Sequence, residues 1–445
     1  MDQGALFDRG GGEGGKRADA ARTPRLGPKR LRHAERHQIE FRECSLDELL
    51  SEEHEARVVW NYVCGLDLLA LYEPIQAVEC GPGQAPADPR ILMTLWLYAT
   101  LRGVGSAREL DRLCRYHAAY RWICGGVSMN YYTLSDFRTQ HVDLQDRLLT
   151  ESVASLMAEG LVTLDRVAQD GMKVRANAGA ASFRRRPTLE EALGEAEEQV
   201  AQLRKELEAN PAAHKTRQQA ARQRAAEERA RRIRAALEQL PKIEESKKAK
   251  DREKARASTT DAEARVMKMG DGGYRPAFNA ELATATGSQI ITGADVTNSG
   301  GDQGQLAPMI DQHQERYQRV PDEALVDGGF VKKEDIERVE QGGTTVYAPV
   351  QKSKDPARDA HTPRPDDTPA VAQWRQRMAT DEAKVIYRER AATAECVNAL
   401  ARNRGLQRFL VRGLRKVKAV MLWYVLAHNL MRAVALRAAA AQMVV

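Results

Sequence analysis

The spacing of apolar residues changes several times along the chain, and each change predicts a different kind of element. After Asp88, which can cap a helix with Pro89 at its first position, Ile91, Leu92, Leu95, Trp96 and Leu101 recur at helical spacing. Gly103-Val104-Gly105 breaks that run. Ser106 and Glu109 then form a capping box for a second helix, with Leu110 and Leu113 facing inward. Thr133-Leu-Ser-Asp136 predicts a third start. Residues 37–160 therefore read as a helical domain. Short helices joined by Gly-containing turns are compatible with a helix-turn-helix-like DNA reader and equally with an ordinary bundle.

Beyond residue 160 the pattern shortens. Leu164 to Asp170 predicts a strand ending at Asp170-Gly171, with Met172 to Ala176 pairing back on it. Between 188 and 256, Leu193, Ala196, Val200, Leu203 and Leu207 alternate steps of three and four, and Ala226, Ala230, Ile233, Leu237 and Leu240 resume that alternation. Asn210-Pro211 separates the two runs, so this heptad pattern predicts an antiparallel, coiled-coil helical hairpin. Arg217, Arg222, Arg224, Arg229, Arg231, Arg232 and Arg234 fall on its outer face, where they are either a solvated surface or a DNA contact.

Strand character returns at Ala277–Thr286 and Gln289–Thr297, with Gly287-Ser288 as the turn. A helix over Gln303–Gln318 follows, with Asp302 read as its N-cap. A short strand, Glu323 to Asp327, is stopped by Gly328-Gly329; a helix over Lys332–Glu340 and a strand over Thr344–Ala348 come next. Residues 352–372 read as a loop. From 373 onward the chain reads as helical, with breaks near Ala391–Thr393, at Gly405 and at Gly413. The simplest assembly is an α/β fold in which residues 161–187 and 257–445 build one mixed sheet and 188–256 is an insertion.

Composition narrows the function. The 445 residues allow about two to four domains at ~100–200 residues each. A net charge of +6 is not that of a histone-like polycation, and 5% aromatics disfavours an aromatic reader of single strands. The six cysteines include no C-x-x-C pair, which argues against a structural zinc or a secreted disulfide scaffold and for a reducing cytoplasm. Residues 1–36 are rich in Gly, Arg and Lys without the apolar stretch of a signal peptide, and read as a disordered basic tail. Val417 to Leu436 is apolar enough to raise a membrane span, but Lys418, His428, Asn429 and Arg432 make it a buried helix, so no membrane partner is expected.

Three carboxylates stand out by position. Asp170 and Asp327 end strands, and Glu395 follows Thr393, read as a helix cap, where the helix dipole tolerates negative charge. Three hard oxygen ligands of this kind suit Mg²⁺, with Mn²⁺ as a substitute. Two such ions about 3.5–4 Å apart serve phosphodiester chemistry. Asp-Gly is also the commonest hairpin dipeptide, so Asp170-Gly171, Asp271-Gly272 and Asp327-Gly328 read equally as turns. His428 and Trp96, Trp122 and Trp423 read as core residues.

The run Ile386-Tyr387-Arg-Glu-Arg390 … Glu395 … Arg402 resembles the Tyr…Arg…Glu…Lys/Arg signature of DDE transposases from bacterial insertion sequences. Gly405-Leu-Gln-Arg-Phe409, Leu426-Ala-His-Asn-Leu430, Asp88–Tyr98, Ser106–Leu110, Thr133–Arg138, Gln169-Asp170-Gly171 and Val326-Asp327-Gly-Gly-Phe330 resemble further blocks of that family, in order. Together they cover roughly residues 40–180 and 260–435. The chain is most similar to the insertion-sequence-1182 group, with Arg402 where Lys is common and Cys396-Val-Asn398-Ala in place of a more usual Pro-Val-Phe-Gly.

The resemblance implies an RNase H-like core in which Asp170, Asp327 and Glu395 hold two divalent ions, with Tyr387, Arg390 and Arg402 positioning phosphates. It implies double-stranded DNA as partner (terminal inverted repeats and target), a homodimeric synaptic complex, and a cytoplasmic, nucleoid-associated protein. A related Mg²⁺-dependent nuclease without strand transfer, and a repurposed copy that binds DNA without cutting it, are the alternatives.

Overall fold

The computed structural model describes residues 45–78, 85–209, 217–352 and 359–443. The 1–36 tail and the Asn210-Pro211 break lie outside the described residues.

Seven helices come first: α1 (Glu55–Cys64), α2 (Leu69–Tyr72), α3 (Pro89–Leu101), α4 (Ala107–Tyr116), α5 (Ala118–Cys124), α6 (Tyr131–Gln140) and α7 (Val142–Ala158). Side chains cap most of them. Asp88 Oδ1 accepts from Arg90 N at 2.8 Å, and Ser106 Oγ from Glu109 N at 3.4 Å. Glu109 turns its carboxylate to Arg112 instead of closing the capping box. Asn130 Oδ1 accepts from the amides of Tyr132 and Thr133, so α6 starts ahead of the predicted Thr133.

The sheet is mixed. β1 (Arg166–Arg175) pairs antiparallel with β5 (Tyr274–Ala285) from Val167 opposite Ala285 to Arg175 opposite Ala277. Its other edge pairs parallel with β7 (Glu323–Leu325), and β7 pairs parallel with β8 (Thr345–Tyr347). The far edge of β5 is shared by β4 (Arg265–Lys268) and β6 (Ile291–Thr297), both antiparallel. Two short strands, β2 (Phe183–Arg184) and β3 (Ala257–Ser258), pair separately. The predicted turn at Asp170-Gly171 is absent. β1 runs straight through it because β5 is long enough to satisfy both halves of the strand.

α8 (Arg186–Ala209) and α9 (Arg217–Glu245) pack on each other around Leu189, Ala196, Ala230, Ile233, Leu240 and Ile243, a core separate from the rest. Their ion pairs run in opposing directions, from Arg186–Glu244 at one end to Arg204–Glu227 at the other. Among the described residues, four of the seven arginines read onto the outer face are ion-paired. Arg229 and Arg234 pair with Glu195 and Glu197 of α8, and Arg231 and Arg232 with Glu228. Heptad reading places charges on a face but cannot see the acidic residues that the second helix brings to it.

α10 (Leu306–Tyr317), α11 (Lys333–Gln341) and α12 (Pro369–Ala379) cover one sheet face through Val167, Leu325, Phe330, Ile336, Val346 and Trp374. Against the other face, Met172, Val174, Phe278 and Leu282 join a core that includes Trp96, Leu148, Phe409 and α15 (Leu414–Met443). Among the described residues α15 is the one helix long and apolar enough to cross a membrane, and 72% of its most apolar stretch is buried inside the protein. Its polar groups dock the β5–β6 turn. Asn429 bonds both the amide and the carbonyl of Ile291, and Arg432 donates to Ser288 O at 2.8 Å. His428 donates to Gln289 O at 2.8 Å, and burial pulls its pKa down to about 4, as expected of a core histidine.

Candidate functional site

Asp170 stands midway along β1, opposite Leu282 of β5. Asp327 lies just past the end of β7, the parallel neighbour of β1, and its Oδ1 accepts from Gly329 N at 2.7 Å. The third acid comes from a long helical run: α13 (Asp381–Arg390), one π-helical turn over Ala391–Glu395, and α14 (Cys396–Asn403). Glu395 thus sits inside a helix rather than at its start, and Thr393 is buried in the widened turn rather than capping anything. Single extra-residue turns of this kind recur at functional sites.

Arg390 and Asn398 tie this helix to β1. Asn398 Nδ2 donates to Asp170 Oδ2 at 2.8 Å. Arg390 lies 3.9 Å from Asp170 Oδ1 and 3.4 Å from Glu395 Oε1, with its guanidinium over the Tyr387 ring. Burial pushes the Asp170 carboxyl up to about 6, against the pull of Arg390 and with the added repulsion of Asp327 and Asp302. Tyr387 is held above its ordinary range chiefly by burial. Five of the six predicted residues are thereby brought together. Arg402 is exposed on α14 and joins none of them.

Asp302 is not the predicted N-cap of α10. Its Oδ1 accepts from Asn279 Nδ2 at 2.6 Å, and its carboxylate fills the space left by two glycines. A Cβ on Gly171 would meet Asp302 Oδ1 at 2.5 Å and Glu281 Oε1 at 3.0 Å; one on Gly329 would meet Asp302 Oδ2 at 3.3 Å. Glu281 is 1% exposed and accepts from Asn279 Nδ2 and Gln169 Nε2. Burial and the nearby Asp302 push its carboxyl up to about 8. Sequence reasoning misses this group, although a signal exists: Asn279 and Glu281 interrupt an otherwise apolar central strand, where polar side chains need partners.

Among the described residues no three His, Cys, Asp or Glu side chains form a ready-made metal cluster. The donor chemistry nevertheless fits a hard divalent cation. Asp170, Asp327 and Glu395 offer carboxylate oxygens only, and Arg390 is the cation set between two of them.

Residues 351–434, which hold Tyr387, Arg390, Glu395 and Arg402, match the family model described as Transposase DDE domain. Residues 44–140, spanning α1 to α6, match Transposase domain (DUF772). Asp170 and Asp327 lie outside the two matches, so structure alone connects them to the DDE segment. No curated protein and no solved structure matches the chain.

Proposed function

We propose that the chain is a DDE transposase of an insertion sequence, with an RNase H-like core. The observation that carries this reading is the approach of Asp170 to the DDE-matched helix: Asn398 and Arg390 of that helix both reach its carboxylate. Within the six-stranded sheet, antiparallel β1, β5 and β6 followed in the chain by parallel β7 and β8, with acids in β1 and just after β7, support the RNase H-like assignment.

In this reading Asp170, Asp327 and Glu395 hold two Mg²⁺ or Mn²⁺ ions. When bound, these ions supply an activated attacking oxygen and a stabilised leaving oxygen for phosphodiester cleavage. Asn398 fixes one oxygen of Asp170 and leaves the other facing Arg390. Arg390, packed over Tyr387, offers a guanidinium to the reacting phosphate. The N-terminal helices read the terminal inverted repeats, two chains bring two ends together, and the exposed 3′-OH joins target DNA. Similarity to the insertion-sequence-1182 group and residence at the nucleoid belong to the same proposal.

The full chain, incubated with Mg²⁺ and a duplex ending in the element's own repeats, is expected to cut at the repeat boundary and join the 3′ end to a second duplex. Cutting without joining would establish the nuclease alternative; repeat binding with neither reaction would establish the repurposed one.

A further inference from the structure

At the root of the α8–α9 pair a cavity of about 880 Å³ opens between the last turns of α9, the 3₁₀ segment Ala249–Lys254, β4 and the loop Asn298–Gly300. Its walls are cationic. Lys242, Lys247 and Arg256 line it with no ion-pair partner among the described residues, unlike the arginines further out on α9. Arg265 also lines it and spends its guanidinium on the carbonyls of Ala262 and Ala264 and on Gln239 Oε1, none of them charged. The one carboxylate among the described residues of the wall, Glu263, is engaged with the first amide of α15, accepting from Leu414 N at 2.8 Å.

We propose that this cleft is a DNA-backbone site, holding consecutive phosphates of the duplex that flanks the cut, distinct from the helices that read the ends. The inference rests on the transposase reading given above. Five cations drawn from a helix, the segment after it and a strand are spread around a space far larger than one phosphate, and of these Lys254 is paired with Asp251. Lys and Arg assisted by Ser and Asn side chains are the groups that hold a nucleic-acid backbone without reading its bases. Ser246, Asn298 and Ser299 supply the neutral partners. Position agrees with charge. The loop that forms the floor, Asn298–Gly300, leads directly to Asp302, whose carboxylate lies against Gly171 beside Asp170. A strand held in the cleft is therefore carried on the same loop that borders the acids.

The test is the salt dependence of duplex binding by the full chain, compared with the triple variant Lys242→Ala/Lys247→Ala/Arg256→Ala. Each phosphate that a cation neutralises adds about 0.9 to the slope of log affinity against log salt, so the triple variant is expected to have a slope lower by roughly two to three. The exchange Lys242→Arg/Lys247→Arg/Arg256→Lys keeps the charge and is expected to keep the slope, which separates removal of charge from failure to fold. Arg229→Ala/Arg232→Ala/Arg234→Ala removes three paired arginines of α9 and is expected to leave the slope close to wild type. A wild-type slope in the cleft triple, or an equal drop in the paired triple, overturns the site. Inorganic phosphate at constant ionic strength distinguishes the sources of the anion: displacement of the duplex at low millimolar phosphate would show a free-phosphate site and overturn the backbone reading. Failure of the transposase reading shows separately, as wild-type protein that binds duplex with the expected cleft dependence yet neither cuts nor joins it.

Discussion

Gly171 and Asp302 meet so closely that any side chain at 171 would collide with the carboxylate, a Cβ standing 2.5 Å from Asp302 Oδ1. The glycine is required by this contact and not by backbone conformation, since Gly171 does not adopt a positive φ. Gly171→Ala is expected to destabilise the chain by about 1–3 kcal/mol, the usual cost of forcing atoms into a packed site. Asp302→Ala should recover most of that loss in the double variant. Urea unfolding of the four proteins measures the coupling, and simple additivity would disprove the contact.

Asp170→Asn, Asp327→Asn and Glu395→Gln are each expected to abolish metal-dependent end cleavage while leaving duplex binding close to wild type. The reason is that in the proposed metal role all three supply only oxygens, whereas the cations proposed to hold the DNA backbone lie elsewhere. A gel assay of cleavage beside a binding titration checks this. Near-normal cleavage by any one variant removes that residue from the site.

In the proposed metal role, the Asp170 carboxyl, raised to about 6, sets a pH limit on cation binding. Only its charged form binds a cation, so below about pH 6 protons compete and apparent Mg²⁺ affinity should fall by roughly tenfold per pH unit. Arg390 favours the charged form, so Arg390→Ala should move the break to higher pH and Arg390→Lys should restore it. Calorimetric titration between pH 5 and 8 reads the break. An affinity independent of pH over that range would contradict the assignment.

Glu281, raised to about 8, makes the opposite demand on folding. The folded chain keeps a proton there that the unfolded chain has released above its ordinary value of ~4.3, so stability falls as pH rises from that value through about 8. Glu281→Gln, which cannot ionise, should flatten this dependence. Above pH 6.5 Asp170 is largely ionised in both states, and His313 and His428, held neutral by burial, add the same opposite slope to both proteins, so the difference between wild type and Glu281→Gln in urea midpoints at pH 6.5 and 8.5 reads Glu281. Equal losses in wild type and variant would show that Glu281 is ionised throughout.

The helical starts at Asp88 and Ser106, the strand pair around Gly287-Ser288, the short strands near Glu323 and Thr344, and the buried character of α15 are all legible in the sequence. Each depends on neighbours a few residues away, where capping and periodicity act. The acids Asp170, Asp327 and Glu395 are legible as candidates through motif order, but their meeting is not, because Asn398 and Arg390 reach Asp170 only after the sheet has formed. The tertiary structure alone decided three further matters. It carried β1 through Asp170-Gly171, because a twelve-residue β5 pairs with both halves of the strand. It turned Asp302 from an expected cap into a neighbour of Gly171, because the space beside a glycine depends on what the fold brings there. It also paired Arg229 and Arg234 on α9 with Glu195 and Glu197, because the facing helix brings those acids to them, while Lys242, Lys247 and Arg256 at the root of the helix meet no carboxylate at ion-pair distance among the described residues.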